Sequence, residues 1–285
     1  MVNYNPKSWF SLIFHSYSRA IIKSLFPAMV LISIYTLGVS LAFYYLKIEF
    51  ISTTAVHSIL GIVLGFFLVF RTNSAYDRWW EGRKAWGTLV NNSRNLALKF
   101  NAIIPNNEPN YIRLKELLVS YPYALKDHLR DNLPNDQFSL EFSHLNLKQT
   151  KHIPNAIALA LYQEVNKLKK SNVIDAEQYR VLDNELVALT DVTGICERIK
   201  NTPIPYSYIM FMKKFIFVFM ITLPFAFVDL FGFYTVGIVV LLLYILLSIE
   251  LLAEEIEDPF GTDENDLPTD ELAVKIKANI EEIMS

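Results

Sequence analysis

The sequence predicts an all-α integral membrane protein, with four transmembrane helices in two hairpins and a large cytosolic helical region between them. Three observations lead there. Hydrophobic residues make up 52% of the chain and charged residues 19%, too apolar for an ordinary soluble domain and too charged for a chain wholly inside lipid. Long charge-free runs alternate with charged stretches. Outside those runs, apolar positions recur at helical spacing, with no alternating β-type segment.

The first hairpin comes from residues 24–46 and 50–70, neither of which holds a charge. Each is long enough, because about 20 residues at 1.5 Å rise cross the ~30 Å hydrocarbon layer. Only residues 47–49 join them. Lys7, Arg19 and Lys23 precede the first run, which lacks the short apolar core of a cleaved signal and reads as a retained helix.

The second hairpin lies near the C-terminus. Residues 215–228 are apolar, Asp229 interrupts, and 230–249 are again charge-free. We read the spans as 208–228 and 230–250, with Lys213 and Lys214 reaching to the interface. Asp229 and Gly232 mark the loop, since a mid-bilayer aspartate is expensive. Basic residues flank one side: Arg19, Lys23, Arg71, Arg78, Arg83, Lys84, Lys213 and Lys214, against Lys47 alone in the opposite loop. By the positive-inside rule both termini, residues 71–207 and the acidic C-terminal segment 251–285 are cytosolic.

Residues 71–207 carry helical stripes such as Ile157, Leu161, Val165 and Leu168, or Leu182, Leu186, Leu189 and Val192. Breaks fall at 105–109 and 132–138. A net charge of −3 gives no reason to expect a nucleic-acid partner, and the lone Cys196 cannot form a bridge within the chain. The five histidines (His15, His57, His128, His144, His152) show no metal-ligand spacing, and neither a phosphate loop nor a nucleophile elbow appears. Nothing points to an enzyme.

Four motifs remain. In the second span, Gly61 and Gly65 form a smooth stripe that lets another helix approach. Ser58, Ile62 and Phe66 repeat every four residues beside it. Around a symmetry axis that stripe would line a pore, where apolar rings gate by shedding water; its alternative is ordinary packing against lipid and helices. Just beyond come Arg78-Trp79-Trp80-Glu81, an interfacial aromatic group in which Arg78 and Glu81 are spaced to pair. Thr202-Pro-Ile-Pro-Tyr206 punctuates the approach to the third span. After the fourth, clustered carboxylates from Glu254 to Asp266 suit Ca²⁺ in residue type, without EF-hand spacing; a solvated acidic run is the alternative.

Leu64-Gly65-Phe66, Arg78-Trp79-Trp80, Thr202-Pro-Ile-Pro-Tyr206 and Asp258-Pro-Phe-Gly261, in that order over essentially the whole chain, resemble the bestrophin family in its prokaryotic branch. The resemblance implies a homopentameric ion channel of the cell membrane, with one pore on the fivefold axis. Its permeant ions would be chloride or monovalent cations. It places neck rings on Ile62 and Phe66, with Ser58 hydroxylated where the third ring is usually apolar. It places a second, cytosolic constriction near Tyr179–Leu182. By position, the Ca²⁺ clasp of eukaryotic members falls on Glu255, Asp258, Asp263 and Asp266. Two amide positions of that pattern are carboxylates here, so no cofactor is required by the reading. A secondary transporter and a non-conducting membrane scaffold are the rival readings; counter-flow would mark the first and a stoichiometric partner the second.

Overall fold

In the computed structural model, residues 16–47, 54–131 and 151–285 are described, and among them every regular element is helical. In chain order they are α1 (Ser16–Leu46), α2 (Thr54–Ile103), α3 (Pro109–Leu129), α4 (Ile153–Lys170), α5 (Ala176–Asn201), α6 (Tyr206–Phe231), α7 (Thr235–Glu257) and α8 (Thr269–Ile283). The fold is all-α, as the spacing predicts. The break expected at 132–138 lies outside the described residues.

The chain divides into two units, one formed by Val2–Asp77 and Pro203–Glu257, the other by Arg78–Thr202 and Asp258–Ser285. In the first, Arg19–Leu46, the N-terminal part of α2 and the run Tyr206–Glu257 are long and apolar enough to cross a membrane. That last run is broken at Gly232–Tyr234 by a single 3₁₀ turn, entered through Gly232 at φ +52°. A side chain there would meet its own backbone, so glycine is the residue that turns α6 back into α7. Asp229 is exposed in the last turn of α6. At the same end, Tyr44 of α1 packs on Phe233 with ring centroids 5.8 Å apart. Helix α6 begins at Tyr206, so Lys213 and Lys214 stand inside it. Lys213 reaches Glu254 of α7 at 3.1 Å.

The interior of this unit is Leu64 and Leu68 of α2, Met212, Ile216, Phe219, Met220 and Leu223 of α6, and Val239 and Leu243 of α7. Helices in an apolar solvent gain little from burying apolar area, so polar contacts and close packing hold them. Tyr35 of α1 donates to the Ile221 carbonyl at 3.0 Å, and Tyr208 to the Phe67 carbonyl at 3.2 Å. His57 Nε2 meets Thr222 Oγ1 at 3.1 Å. Because Thr222 donates its own proton to the Val218 carbonyl, the imidazole is the donor.

The second unit is built as a water-soluble helical bundle is. The two stripes read from the sequence, Ile157, Leu161, Val165, Leu168 and Leu182, Leu186, Leu189, Val192, are all at most 1% exposed. They pack with Trp86, Leu89 and Phe100 of α2, Leu114, Leu117 and Tyr121 of α3, and Ile276 and Ile280 of α8. Burial at about 25 cal/mol per Å² of apolar area makes this core the main stabilising term of the unit. Its helix starts are punctuated as the chemistry requires. Asp175 accepts the Gln178 N–H at 2.7 Å while the Gln178 side chain accepts the Asp175 N–H at 2.9 Å, a reciprocal cap on α5. Pro109 opens α3, where a missing N–H costs nothing.

In the stretch Tyr179–Leu182, near which a cytosolic constriction is expected, Leu182 lies in this core with no exposed surface. Tyr179 is half-buried, with the Lys169 ammonium 4.4 Å from its ring centroid. Within that stretch the open apolar side chain is Val181, at 40%.

Candidate functional site

Helix α2 presents two faces in its apolar part. Leu64, Leu68, Arg71 and Ala75, spaced i, i+4, i+7 and i+11, are buried in the protomer. On the opposite side Ile62 and Phe66 are 62% and 63% exposed, and Ile59, Val69 and Phe70 are open beside them. Ser58 is exposed on the same side, its hydroxyl donating back to the Thr54 carbonyl at 2.9 Å. The two glycines differ. A Cβ at Gly61 would touch the Phe219 ring at 3.6 Å, whereas one at Gly65 would meet nothing within 4 Å.

Where α2 leaves this apolar part, Arg71 is buried in a carboxylate cluster. Its Nη2 lies 2.7 Å from Glu257 Oε2, and its Nε is 3.8 Å from Glu250. The other oxygen of Glu257 accepts the Ile204 N–H at 2.9 Å. Ile204 stands between Pro203 and Pro205, neither of which has an N–H, so Glu257 satisfies the donor that remains inside the motif. In the sequence Arg71 counts only among the basic residues that set the topology. A basic residue three positions after Leu68 and seven after Leu64, on the buried face, was the available signal.

In the second unit, Arg78 and Glu81 take partners across helices, which corrects the pairing expected from their spacing. Arg78 donates to the Ile199 carbonyl at 2.6 Å and to the Thr202 carbonyl, binding the C-terminal end of α5. A guanidinium fork suits this position because the last carbonyls of a helix lack partners and carry its negative pole. Glu81 receives Arg198 of α5. Trp79 and Trp80 stack at 6.4 Å, and the Trp79 indole N–H donates to the Asn265 carbonyl at 2.9 Å.

That last bond explains Asp258-Pro-Phe-Gly261. Phe260 and Leu267 pack against Gly82, where a Cβ would come within 3.1 Å of the Phe260 ring. Leu267 N–H closes the loop on the Pro259 carbonyl at 2.9 Å. Asp266, 2% exposed, accepts the Asp263 N–H through Oδ2 at 2.7 Å, and that oxygen sits 2.6 Å from the Cβ position of Gly261. Asp258 and Asp263 are exposed. Among the described residues these three aspartates do not gather into a set of three converging carboxylate oxygens. Asp266 braces the turn from inside through Oδ2. Glu255, half-buried on α7, belongs to the other unit.

Comparison with known proteins places this geometry. A family model described as Bacterial/Fungal Bestrophin protein matches residues 1–282. A voltage-dependent anion channel-forming protein of Nostoc sp. is 34% identical over 98% of this chain and 92% of its own length. The voltage-dependent anion channel-forming protein YneE of Escherichia coli is 32% identical over 83% of this chain and 78% of its own. A crystal structure of a bacterial bestrophin homologue from Klebsiella pneumoniae superposes with a TM-score of 0.81, at 32% identity, covering 90% of this chain and 96% of that one. The resemblance seen in the sequence motifs agrees with these matches, and so does the expectation of a protein that is not an enzyme.

Proposed function

Because this chain belongs to the bacterial and fungal bestrophin family, we propose that it is a homopentameric anion channel of the cell membrane. The observation that carries the reading is the uncovered face of α2. Ile62 and Phe66 stand directly opposite the helix's buried face, in its apolar part, and most of each side chain is exposed. Five copies around an axis turn those side chains into stacked apolar rings, with Ser58 forming a third. Water leaves a narrow apolar constriction, so ions pass only when the ring widens or rewets. Gly65, open in the protomer, is the place where a neighbouring helix approaches closely. Relatives named as anion channel-forming proteins favour an anion over a cation as the permeant species.

The apolar helices cross the membrane four times, as two hairpins. Both termini and residues 71–207 lie in the cytosol, on the side that carries the basic residues. The second unit then forms the cytosolic vestibule. Flux is passive, since four spans without an inverted repeat offer no mid-membrane alternating site.

Liposomes loaded with KCl and voltage-clamped by valinomycin test this. Chloride efflux that rises linearly with concentration is the expected result. Saturable efflux accelerated by external chloride would make the protein an exchanger, and silent, well-folded oligomer would make it a scaffold.

A further inference from the structure

Two histidines that lie far apart in sequence meet on one carboxylate. His128, in the last turn of α3, and His152, the N-cap of α4, each bring Nε2 to 2.7 Å from the same Oε1 of Glu197 on α5. The imidazoles face each other with centroids 4.3 Å apart. Their side chains are 27% and 30% exposed and that of Glu197 30%, so the group is open to water on one side. Burial alone would raise the Glu197 carboxyl, but the bonds from His128 and His152 outweigh it and hold the group below its ordinary range. Among the described residues this is the one set of three ligand-type side chains whose donor atoms converge within 4.8 Å.

We propose that His128, His152 and Glu197 form a binding site for a divalent transition-metal ion of the zinc class. Two imidazole nitrogens and one carboxylate oxygen are the donors that such ions take, and three protein ligands leave a fourth position for water. With metal–ligand bonds of about 2.0 Å in tetrahedral array, the donor atoms must spread from 2.7 Å to about 3.3 Å, a shift small side-chain rotations supply.

The proton balance is set by the helix cap. His152 Nδ1 accepts the Asn155 N–H at 3.2 Å, so the neutral ring carries its proton on Nε2 and donates it to Glu197. On coordination Nε2 of each neutral ring binds the ion, and each ring's proton moves to its Nδ1. The Asn155 N–H then loses its acceptor, and no net proton is released by either ring. The ion replaces two hydrogen bonds and a cap with three coordination bonds, and it ties α3, α4 and α5 together. Cys196 takes no part: it is buried, and its thiol is pushed up to about 12 by burial, then by the charges of Glu197 and Glu81.

The experiment is calorimetric titration of ZnCl₂ into chelator-stripped, full-length oligomer at neutral pH, with no conduction readout. One ion per chain is expected, with Kd on the order of 1 μM. His152→Asn keeps a competent cap and removes the ligand; it, His128→Asn and Glu197→Gln are each expected to weaken binding at least tenfold while helical content and oligomer size stay unchanged. Cu²⁺ in the unmodified oligomer adds an independent check: electron paramagnetic resonance of the first equivalent is expected to show coupling to two imidazole nitrogens. No saturable binding, binding unchanged in the His128→Asn/His152→Asn double variant, or coupling to fewer than two imidazoles would overturn the site.

Discussion

Arg71 and Glu257 form a buried ion pair at 2.7 Å, and the same carboxylate holds the Ile204 N–H between two prolines. One side chain thereby joins the exit of α2, the end of α7 and the entry to α6. The Arg71 and Glu257 side chains are 1% and 11% exposed, so neither charge has water to fall back on. Removing one member of such a pair leaves the other buried without its partner, which is costly. Glu257→Ala is expected to destabilise the protein by about 3 kcal/mol, and Glu257→Gln, which keeps the bond to Ile204, by less. Thermal unfolding in detergent checks the order; equal losses would mean that the charge is irrelevant.

Arg78 holds two carbonyls at the end of α5 through one fork. Lysine keeps the charge but cannot make both bonds in a fixed plane. Arg78→Lys is expected to cost about 1–2 kcal/mol and Arg78→Ala about 2–3 kcal/mol, since bonds to a charged donor are worth more than neutral ones. Denaturation midpoints of the three proteins measure this.

The neck gives the opposite kind of outcome. Ile62 and Phe66 are mostly exposed in the protomer, so Ile62→Ala and Phe66→Ala are expected to leave protomer stability nearly unchanged. Each is expected to raise single-channel conductance or open probability by about twofold or more, because a wider, less apolar ring stays wet. Unchanged currents in both variants would move the constriction elsewhere.

Asp270 titrates outside the ordinary carboxylate range. Burial works to raise it, but hydrogen bonds from Arg130 and Lys126 prevail and take it from 3.8 to about 2. A folded-state value below the unfolded one adds stability that is complete above about pH 4 and is lost as pH falls through about 2. The melting temperature is therefore expected to fall more steeply across that window in the parent protein than in Asp270→Asn, which should be the less stable of the two at pH 7.

Cys196 is buried, with its thiol pushed up to about 12. Thiolate is the reacting form, so at pH 8 it amounts to about one part in 10⁴. Maleimide labelling of the native oligomer is expected to be at least about 100-fold slower than that of the denatured chain. Equal rates would place the α5 core in rapid exchange with solvent.

What the sequence revealed follows the reach of each interaction. The stripe Ile157, Leu161, Val165, Leu168 was legible because helical periodicity is local. The charge at Asp229 marked the second hairpin only to within a few residues, since α6 runs on to Phe231 and the turn is Gly232–Tyr234. Arg78 was legible as a feature but its partners were not. Spacing pointed to Glu81, four residues of one helix, whereas the unpaired carbonyls of Ile199 and Thr202 come from over a hundred residues away and outbid it. The same limit hid the His128–His152–Glu197 convergence, which no spacing rule encodes. Asp266 looked like a metal ligand by composition; its burial against Gly261 comes from a loop closure that composition does not contain.

The most direct test of the central reading is the reversal potential of purified protein in a planar bilayer under a KCl gradient. A value near the chloride equilibrium potential is expected. A value near the potassium equilibrium potential, or no current from intact oligomer, would contradict an anion channel.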